Sequence, residues 1–507
     1  MSAGFLPAML SEHAPALIAA APLFLSALVA AQPNGRFAWG VSLLCVAGCL
    51  LLAFDIAFQV QSQTIVSYAL GGWAPPIGIE FRVDALNAAI LVLLAAVGLI
   101  ALVFAAPSVA DEIPADKHAL FYSAFLICFA GLTGVAITGD AFNMFVFFEI
   151  SSIATYALIA MGHVNDRRAL TASFNYLVMG TIGATFFVIG VGFLYMATGT
   201  LNMADIAQRV ADNPGDRVIQ VAFAFIVVGV GLKAALFPLH LWLPNGYAYA
   251  PNFVTVFLAS TATKVAFYVL IRFMFDVFDP NATFTNFAFA GVIAPLAIAG
   301  MLIASAQAAF QSDARRLFAY SSVAQVGYMM LGLGVGTAIG VSAGVLHLLN
   351  HAMMKGAIFV ALGAFALSYG VRRIEDFKGL GQTMPFTASA FTIGTLSLIG
   401  VPFTAGFVSK FYLIQAVLDR GWWWAVAAIV ISSVLAVAYC YRILAVMWVQ
   451  PAPDGAAAAR KRPPLLVSAP LWILALANIY FGVNADALVG AAEAAARAAI
   501  NGGAGAS

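Results

Sequence analysis

The chain has 507 residues, 63% of them hydrophobic and only 9% charged, against about 25% charged in an ordinary soluble domain. A formal net charge of +1 excludes nucleic-acid binding driven by bulk electrostatics. Apolar runs of roughly 20 residues, each able to cross a ~30 Å hydrocarbon core, recur from end to end and exclude a soluble protein.

In chain order the runs predict about fourteen membrane spans of an all-α integral membrane protein. They lie near 14–32, 39–60, 86–107, 119–138, 141–161, 169–198, 218–243, 250–275, 285–308, 316–335, 339–369, 387–418, 423–448 and 465–487. The opening "MSAGFLPAMLSEHAPALIAA" has no basic residue before its apolar part, so it reads as a first membrane helix rather than a cleaved signal. The longest polar connections, 205–217, 371–383 and 450–464, are short, so 1–507 reads as a single polytopic membrane domain. Cys45, Cys49, Cys128 and Cys440 all fall inside apolar runs and read as packing residues, with no metal or cofactor expected. Asp55 reads as a boundary or interhelical contact, and Trp422–Trp424 as a membrane-interface marker.

Charge sets the expected orientation. Loops after odd-numbered spans hold Arg36, Lys117, Arg167, Arg168, Arg315, Arg316, Arg372, Arg373, Lys378, Arg442, Arg460, Lys461 and Arg462, thirteen cations. Loops after even-numbered spans and the tails hold Arg82, Arg209, Arg217, Arg272, Arg420 and Arg497, six. The cation-rich side is therefore expected to be cytoplasmic, with both termini on the outer face. The remaining four of 23 basic residues are Lys233, Lys264, Lys355 and Lys410, each inside an apolar span. None is arginine, which stays charged in any site, whereas a buried lysine releases its proton near neutral pH.

Glu149, His347 and His351 join these lysines within the spans, and His240 lies near the end of its span. Ionisable groups at membrane depth cost several kcal/mol each and are functional candidates by default. Glu149 reads as the only deep acid apart from Asp55, and as the partner of Lys233. In "GLKAALFPLHLWLPNGYAYAP", Pro238 breaks the helix just after Lys233; in "LIGVPFTAGFVSKFYLIQ", Pro402 loosens the span just before Lys410. A break at membrane depth is tolerated against protein or a hydrated cavity. In "HLLNHAMMKGAIF", His347, His351 and Lys355 stand at i, i+4 and i+8, one stripe of a helix. Neutral histidine both gives and takes a proton, so the stripe and the lysines together read as a row of protonatable sites along the mid-plane.

The segments "FFEISSIATYALIA", "GLKAALFPLHLWLPNGYAYAP", "ASTATKVAFYVLIR", "DARRLFAYSSVAQVGYMMLGL", "HLLNHAMMKGAIFVALGA" and "GVPFTAGFVSKFYL" resemble the antiporter-like membrane subunits shared by respiratory complex I and the Mrp-type cation/proton antiporters. The resemblance implies two inverted five-helix repeats, approximately 119–275 and 285–448, each with one discontinuous helix. It implies a Glu149–Lys233 pair, transfer from Lys264 to His347, His351 and Lys355, and Lys410 as the terminal site. It further implies other membrane subunits as partners, Na⁺ or K⁺ exchanged for protons, and a bacterial cytoplasmic membrane. The wording of "GVPFTAGFVSKFYL" and "YGVRRIEDFKGLGQTMP" is more similar to the Mrp D-type subunit. The complex I N-type subunit is the first alternative and a non-conducting scaffold the second.

Overall fold

The computed structural model describes residues 4–213, 215–278, 283–452 and 463–501. Arg460, Lys461 and Arg462, counted above toward orientation, lie outside the described residues. The chain begins with α1 (Ala8–Ala30) and α2 (Gly35–Gln63), then an antiparallel hairpin of β1 (Val66–Ala69) and β2 (Glu80–Val83) that pairs Val66 with Val83. Four unbroken helices follow: α3 (Ala85–Glu112), α4 (His118–Ile137), α5 (Ala141–Ala160) and α6 (Arg168–Thr198). A connecting helix, α7 (Met203–Asp212), leads into α8 (Arg217–Lys233), which stops and resumes as α9 (Trp242–Tyr249).

The next expected span is also divided, into α10 (Asn252–Ser260) and α11 (Ala262–Ile271), the latter running into a π-helical turn, Arg272–Val277. Then come α12 (Thr283–Phe287), a π-helical Ala288–Ile293, α13 (Ala294–Ala309), α14 (Ala314–Gly334) and the long α15 (Ala338–Tyr369). After a one-turn α16 (Leu380–Thr383), the span expected at 387–418 is split into α17 (Pro385–Ile399) and α18 (Ala405–Asp419). The chain finishes with α19 (Trp423–Trp448), α20 (Leu465–Val483) and α21 (Asp486–Asn501).

Among the described residues, 11 helical stretches are long and apolar enough to cross a membrane. The other expected spans fall on α14 and on the two broken helices α8/α9 and α17/α18. Short polar side chains start the helices: Asp84, Asp140, Asp216, Asp313 and Thr337 each accept a backbone N–H at an amino terminus. Small residues let helices close in. A Cβ on Gly229 would stand 2.6 Å from Gly183 O, so α6 and α8 meet backbone to backbone.

Asp55 is an interhelical contact: it accepts from Ser11 Oγ at 2.6 Å and from Leu6 N–H at 2.9 Å, tying the start of α1 to α2. All four cysteines are buried and free of disulfides. Trp423 and Trp424 are exposed at the start of α19. Arg272, taken above as a loop cation, is instead 4% exposed and held by Asp84 at 2.5 Å and Asp276 at 3.2 Å. A charge at the rim of a span is buried by neighbours that the local sequence does not reveal.

Candidate functional site

Helix α8 ends at Lys233 because the next residues cannot continue it. Ala235 has φ 58°, and Pro238 has no N–H to donate. Leu236 N–H turns back to Gly231 O at 2.9 Å, and the Trp242 indole donates to Leu232 O at 2.9 Å, so the last carbonyls of α8 find partners. Lys233 Nζ crosses to α5, donating to Ser152 Oγ at 2.7 Å and to Glu149 Oε1 at 3.4 Å. It also lies 5.1 Å from the Phe148 ring centroid. The Glu149 side chain is 25% exposed against 7% for Lys233. It shares the outward stripe of α5 with exposed Phe142, Val146 and Ile153.

His240 stands in the break itself, 2% exposed and stacked 5.3 Å from Phe237. Among the described residues, neither of its ring nitrogens finds a hydrogen-bond partner, although Gln307 of α13 lies alongside. It is not joined by a hydrogen bond to any of the lysines.

Lys264 follows a break that the sequence reading did not anticipate. Thr261, with φ −129° and ψ −58°, separates α10 from α11, and Lys264 Nζ donates back to the freed Ala259 carbonyl. Across from it, α15 presents His347, His351 and Lys355, all 0% exposed, as the expected stripe. The two imidazoles are parallel within 9° at 6.2 Å. His347 Nε2 faces Gln325 Oε1 and its Nδ1 faces Ser409 Oγ, both at 2.9 Å. With the Gln325 oxygen as acceptor, Nε2 carries the proton and Nδ1 is the bare nitrogen facing Ser409, whose hydroxyl also reaches Gly406 O at 3.2 Å. Both His351 nitrogens lack a partner among the described residues. Lys355 donates to Phe318 O at 2.7 Å and to Ser321 Oγ. Lys264 lies within electrostatic reach of His347, His351 and Lys355.

The second discontinuity, around Pro402, brings backbone to Lys410. Gly400 has φ 89° and Phe403 φ 67°, so the chain leaves the helical path between α17 and α18. Lys410 Nζ donates to Ile399 O at 2.8 Å, Leu398 O at 3.3 Å and Ser433 Oγ at 3.1 Å. It sits 4.6 Å from the centroid of the Tyr328 ring, which also lies 5.4 Å from the His347 ring. Among the described residues, no carboxylate oxygen lies within 4.0 Å of Lys264, Lys355 or Lys410.

The expected residues thus form three groups. Glu149 pairs with Lys233, Lys264 faces the α15 stripe, and His347 and Lys410 lie against the same Tyr328 ring. Sequence reasoning missed the small polar residues that hold these groups: Ser152, Ser321, Gln325, Ser409 and Ser433. Their signal was their presence in otherwise apolar helices, as in "AYSSVAQVGY". It also missed the burial of Glu112, 8% exposed, and Asp84, 7% exposed, at the two ends of α3.

Residues 138–436 match the family described as NADH:quinone oxidoreductase/Mrp antiporter, transmembrane. The chain is 39% identical to the N-type subunit of the NADH-quinone oxidoreductase of Desulforudis audaxviator, over 95% of this chain and 97% of that protein. It is 34% identical to the D-type subunit of the Na(+)/H(+) antiporter of Alkalihalophilus pseudofirmus, over 74% of each. Its fold is similar to a chain of the Mrp complex from Dietzia sp., with TM-score 0.87, 27% identity and coverage of 97% of this chain and 98% of that one. This multi-pass, nearly all-helical chain is an antiporter-like membrane subunit and belongs to the NADH:quinone oxidoreductase/Mrp antiporter family.

Proposed function

We propose that this chain is the proton-carrying subunit of a multisubunit Na⁺ or K⁺/proton antiporter. It sits in a bacterial cytoplasmic membrane with both termini on the outer face and its two inverted units near 119–275 and 285–448. Protons pass between Glu149, Lys233, Lys264, His347, His351, Lys355 and Lys410, with His240 lining the first break. The observation that carries this reading is the row of buried lysines, of which only Lys233 has a carboxylate partner among the described residues. A lysine held by serine hydroxyls and backbone carbonyls rather than by a fixed anion is free to exchange its proton when water or imidazole comes within reach.

The exposed edge of Glu149 supports a neighbouring subunit on that face. A carboxylate on an otherwise apolar stripe would cost several kcal/mol against lipid, so another protein chain covers it, while the rest of the apolar surface meets lipid.

The relative that is 39% identical favours a second reading, an N-type subunit of an NADH-quinone oxidoreductase. In that assembly the same residues carry the protons and the redox chemistry lies in other chains. A scaffold without flux would tolerate loss of these charges. The test is reconstitution of the complete complex with cation- and pH-sensitive dyes, comparing wild type with Lys233→Ala. Loss of proton-coupled cation movement supports the antiporter reading, and full transport refutes it. Proton movement that requires NADH and quinone instead selects the second reading.

A further inference from the structure

The last residue of α3, Glu112, is buried at the amino end of α10. Its Oε2 accepts the Asn252 backbone N–H at 2.8 Å, and its Oε1 accepts from Asn252 Nδ2 and from Ser108 Oγ, each at 2.7 Å. Ser108 Oγ in turn accepts Phe253 N–H at 3.3 Å. The other end of the same nine-residue helix supplies the Ala259 carbonyl that holds Lys264. One half-helix thus has a carboxylate at its positive end and an ammonium at its negative end. It spans about 14 Å at 1.5 Å per residue.

Glu112 also borders a cavity of ≈190 Å³, lined in addition by Asp111, Asn165, Tyr249, Asn252 and Arg315. The cavity opens on the cation-rich side. Its rim is an ion-pair network in which Arg372 bridges Asp166 at 2.9 Å and Asp313 at 2.8 Å, and Arg168 joins Asp166 at 2.7 Å. Arg315 does not pair with Glu112; it donates to Ala250 O at 2.7 Å and Thr255 Oγ1 at 2.8 Å. Its positive charge nevertheless stands over the same pocket. The carboxylate therefore faces polar, water-sized space with no cation locked to it among the described residues.

We propose that Glu112 is a proton-binding site open to the cytoplasmic side, and that its charge, coupled through α10, gates proton exchange at Lys264. The step is a plain transfer: a hydronium in the cavity gives its proton to the carboxylate, leaving water and a neutral acid. Neutralising Glu112 removes a negative charge from the far end of α10 and lowers the proton affinity of Lys264, which then releases its proton toward the α15 stripe. The proton then returns from Glu112 to water in the cavity, and the restored carboxylate raises the proton affinity of Lys264 again. Lys264 reloads from the Lys233 end of the row, so that no proton passes along α10 itself. This inference rests on the proton-carrying reading above.

The test uses the complete complex in inverted membrane vesicles, with a pH-sensitive dye reporting proton movement and blotting reporting assembly. Glu112→Gln keeps an oxygen to accept Asn252 N–H but cannot bind a proton; transport should fall tenfold or more at unchanged assembly. Glu112→Asp should retain part of the rate, and Asp116→Asn, at an exposed acid outside the cavity lining, should retain all of it. Infrared difference spectra between high and low pH should show a protonated-carboxyl band that Glu112→Gln removes. Wild-type transport by Glu112→Gln, or a spectrum unchanged by it, overturns the proposal. If Lys233→Ala also transports normally, the proton-carrying reading falls with it; if Lys233→Ala is inactive, only the role of Glu112 is lost.

Discussion

Lys410 is held by a carbonyl on the other side of a helix break: its Nζ donates to Ile399 O at 2.8 Å across the non-helical turn around Pro402. Lys233 is itself the last residue of α8. One lysine precedes its break in sequence and the other follows, yet both belong to the carboxyl end of the half-helix before the break. Backbone dipoles converge there on negative potential, which favours a cation without a carboxylate.

That placement predicts opposite sensitivities to charge and to proton exchange at position 410. Lys410→Arg keeps a cation against the α17 carbonyls but cannot release its proton. The variant should assemble normally and lose proton-coupled transport in dye-loaded proteoliposomes. Transport at the wild-type rate would make Lys410 a static counter-charge for the helix end.

Glu149 offers a graded test. Glu149→Gln leaves Lys233 its 2.7 Å bond to Ser152 and removes only the charge. The lost attraction should alter the proton affinity of Lys233 enough to slow transport roughly 10- to 100-fold, the factor that about 1.4–2.7 kcal/mol corresponds to. Initial rates over a pH series check this; a rate within twofold of wild type at every pH would reduce the pair to a packing contact.

The sequence made some of this legible and hid the rest for physical reasons. Long apolar runs reveal spans because lipid demands them, and Pro238 and Pro402 reveal breaks because proline removes a donor. The division at Thr261 carries neither proline nor glycine. Its only trace is a Ser260-Thr261 pair, and the Thr261 hydroxyl bonds back to Phe257 O at 2.7 Å, competing with the helix. Helices α7 and α21 escaped because they are too polar to read as spans; α7 buries only Met203, Ile206 and Val210. Glu112 sits in "SVADEIPADK", which reads as a loop, and its burial depends on Asn252, 140 residues away. Long-range capping of this kind leaves no local pattern.

The histidines should differ from one another. His347 is fixed by Gln325 and Ser409, whereas His351 has no partner on either nitrogen among the described residues. Gln325→Leu frees the His347 tautomer and should shift the pH optimum of transport while leaving a measurable rate. His351→Phe should slow transport at all pH values, and the double change of His347 and His351 to Phe should do both. Wild-type rates with an unaltered pH profile in all three would remove the imidazoles from the path.

The ion-pair rim on the cation-rich side makes a prediction about stability rather than flux. The Arg168 guanidinium hydrogen-bonded to Asp166 holds its carboxyl down, at about 2, and Arg372 adds to the effect. A carboxyl whose folded-state value is depressed contributes stability above its unfolded value, and that contribution fades as pH falls toward the folded value. The Asp166 contribution should therefore be complete above about pH 4 and decline between about pH 4 and pH 2. It is worth roughly 1–2 kcal/mol, because Arg168 is largely solvent-exposed and its attraction is screened. Asp166→Asn should lower the thermal unfolding temperature of the purified complex at pH 7 by roughly 1–3 °C. The gap between variant and wild type should stay constant down to about pH 4 and narrow only below it. A gap that widened on acidification would mean that Asp166 is stabilised as the neutral acid, and the rim would then be held by hydrogen bonds rather than by charge.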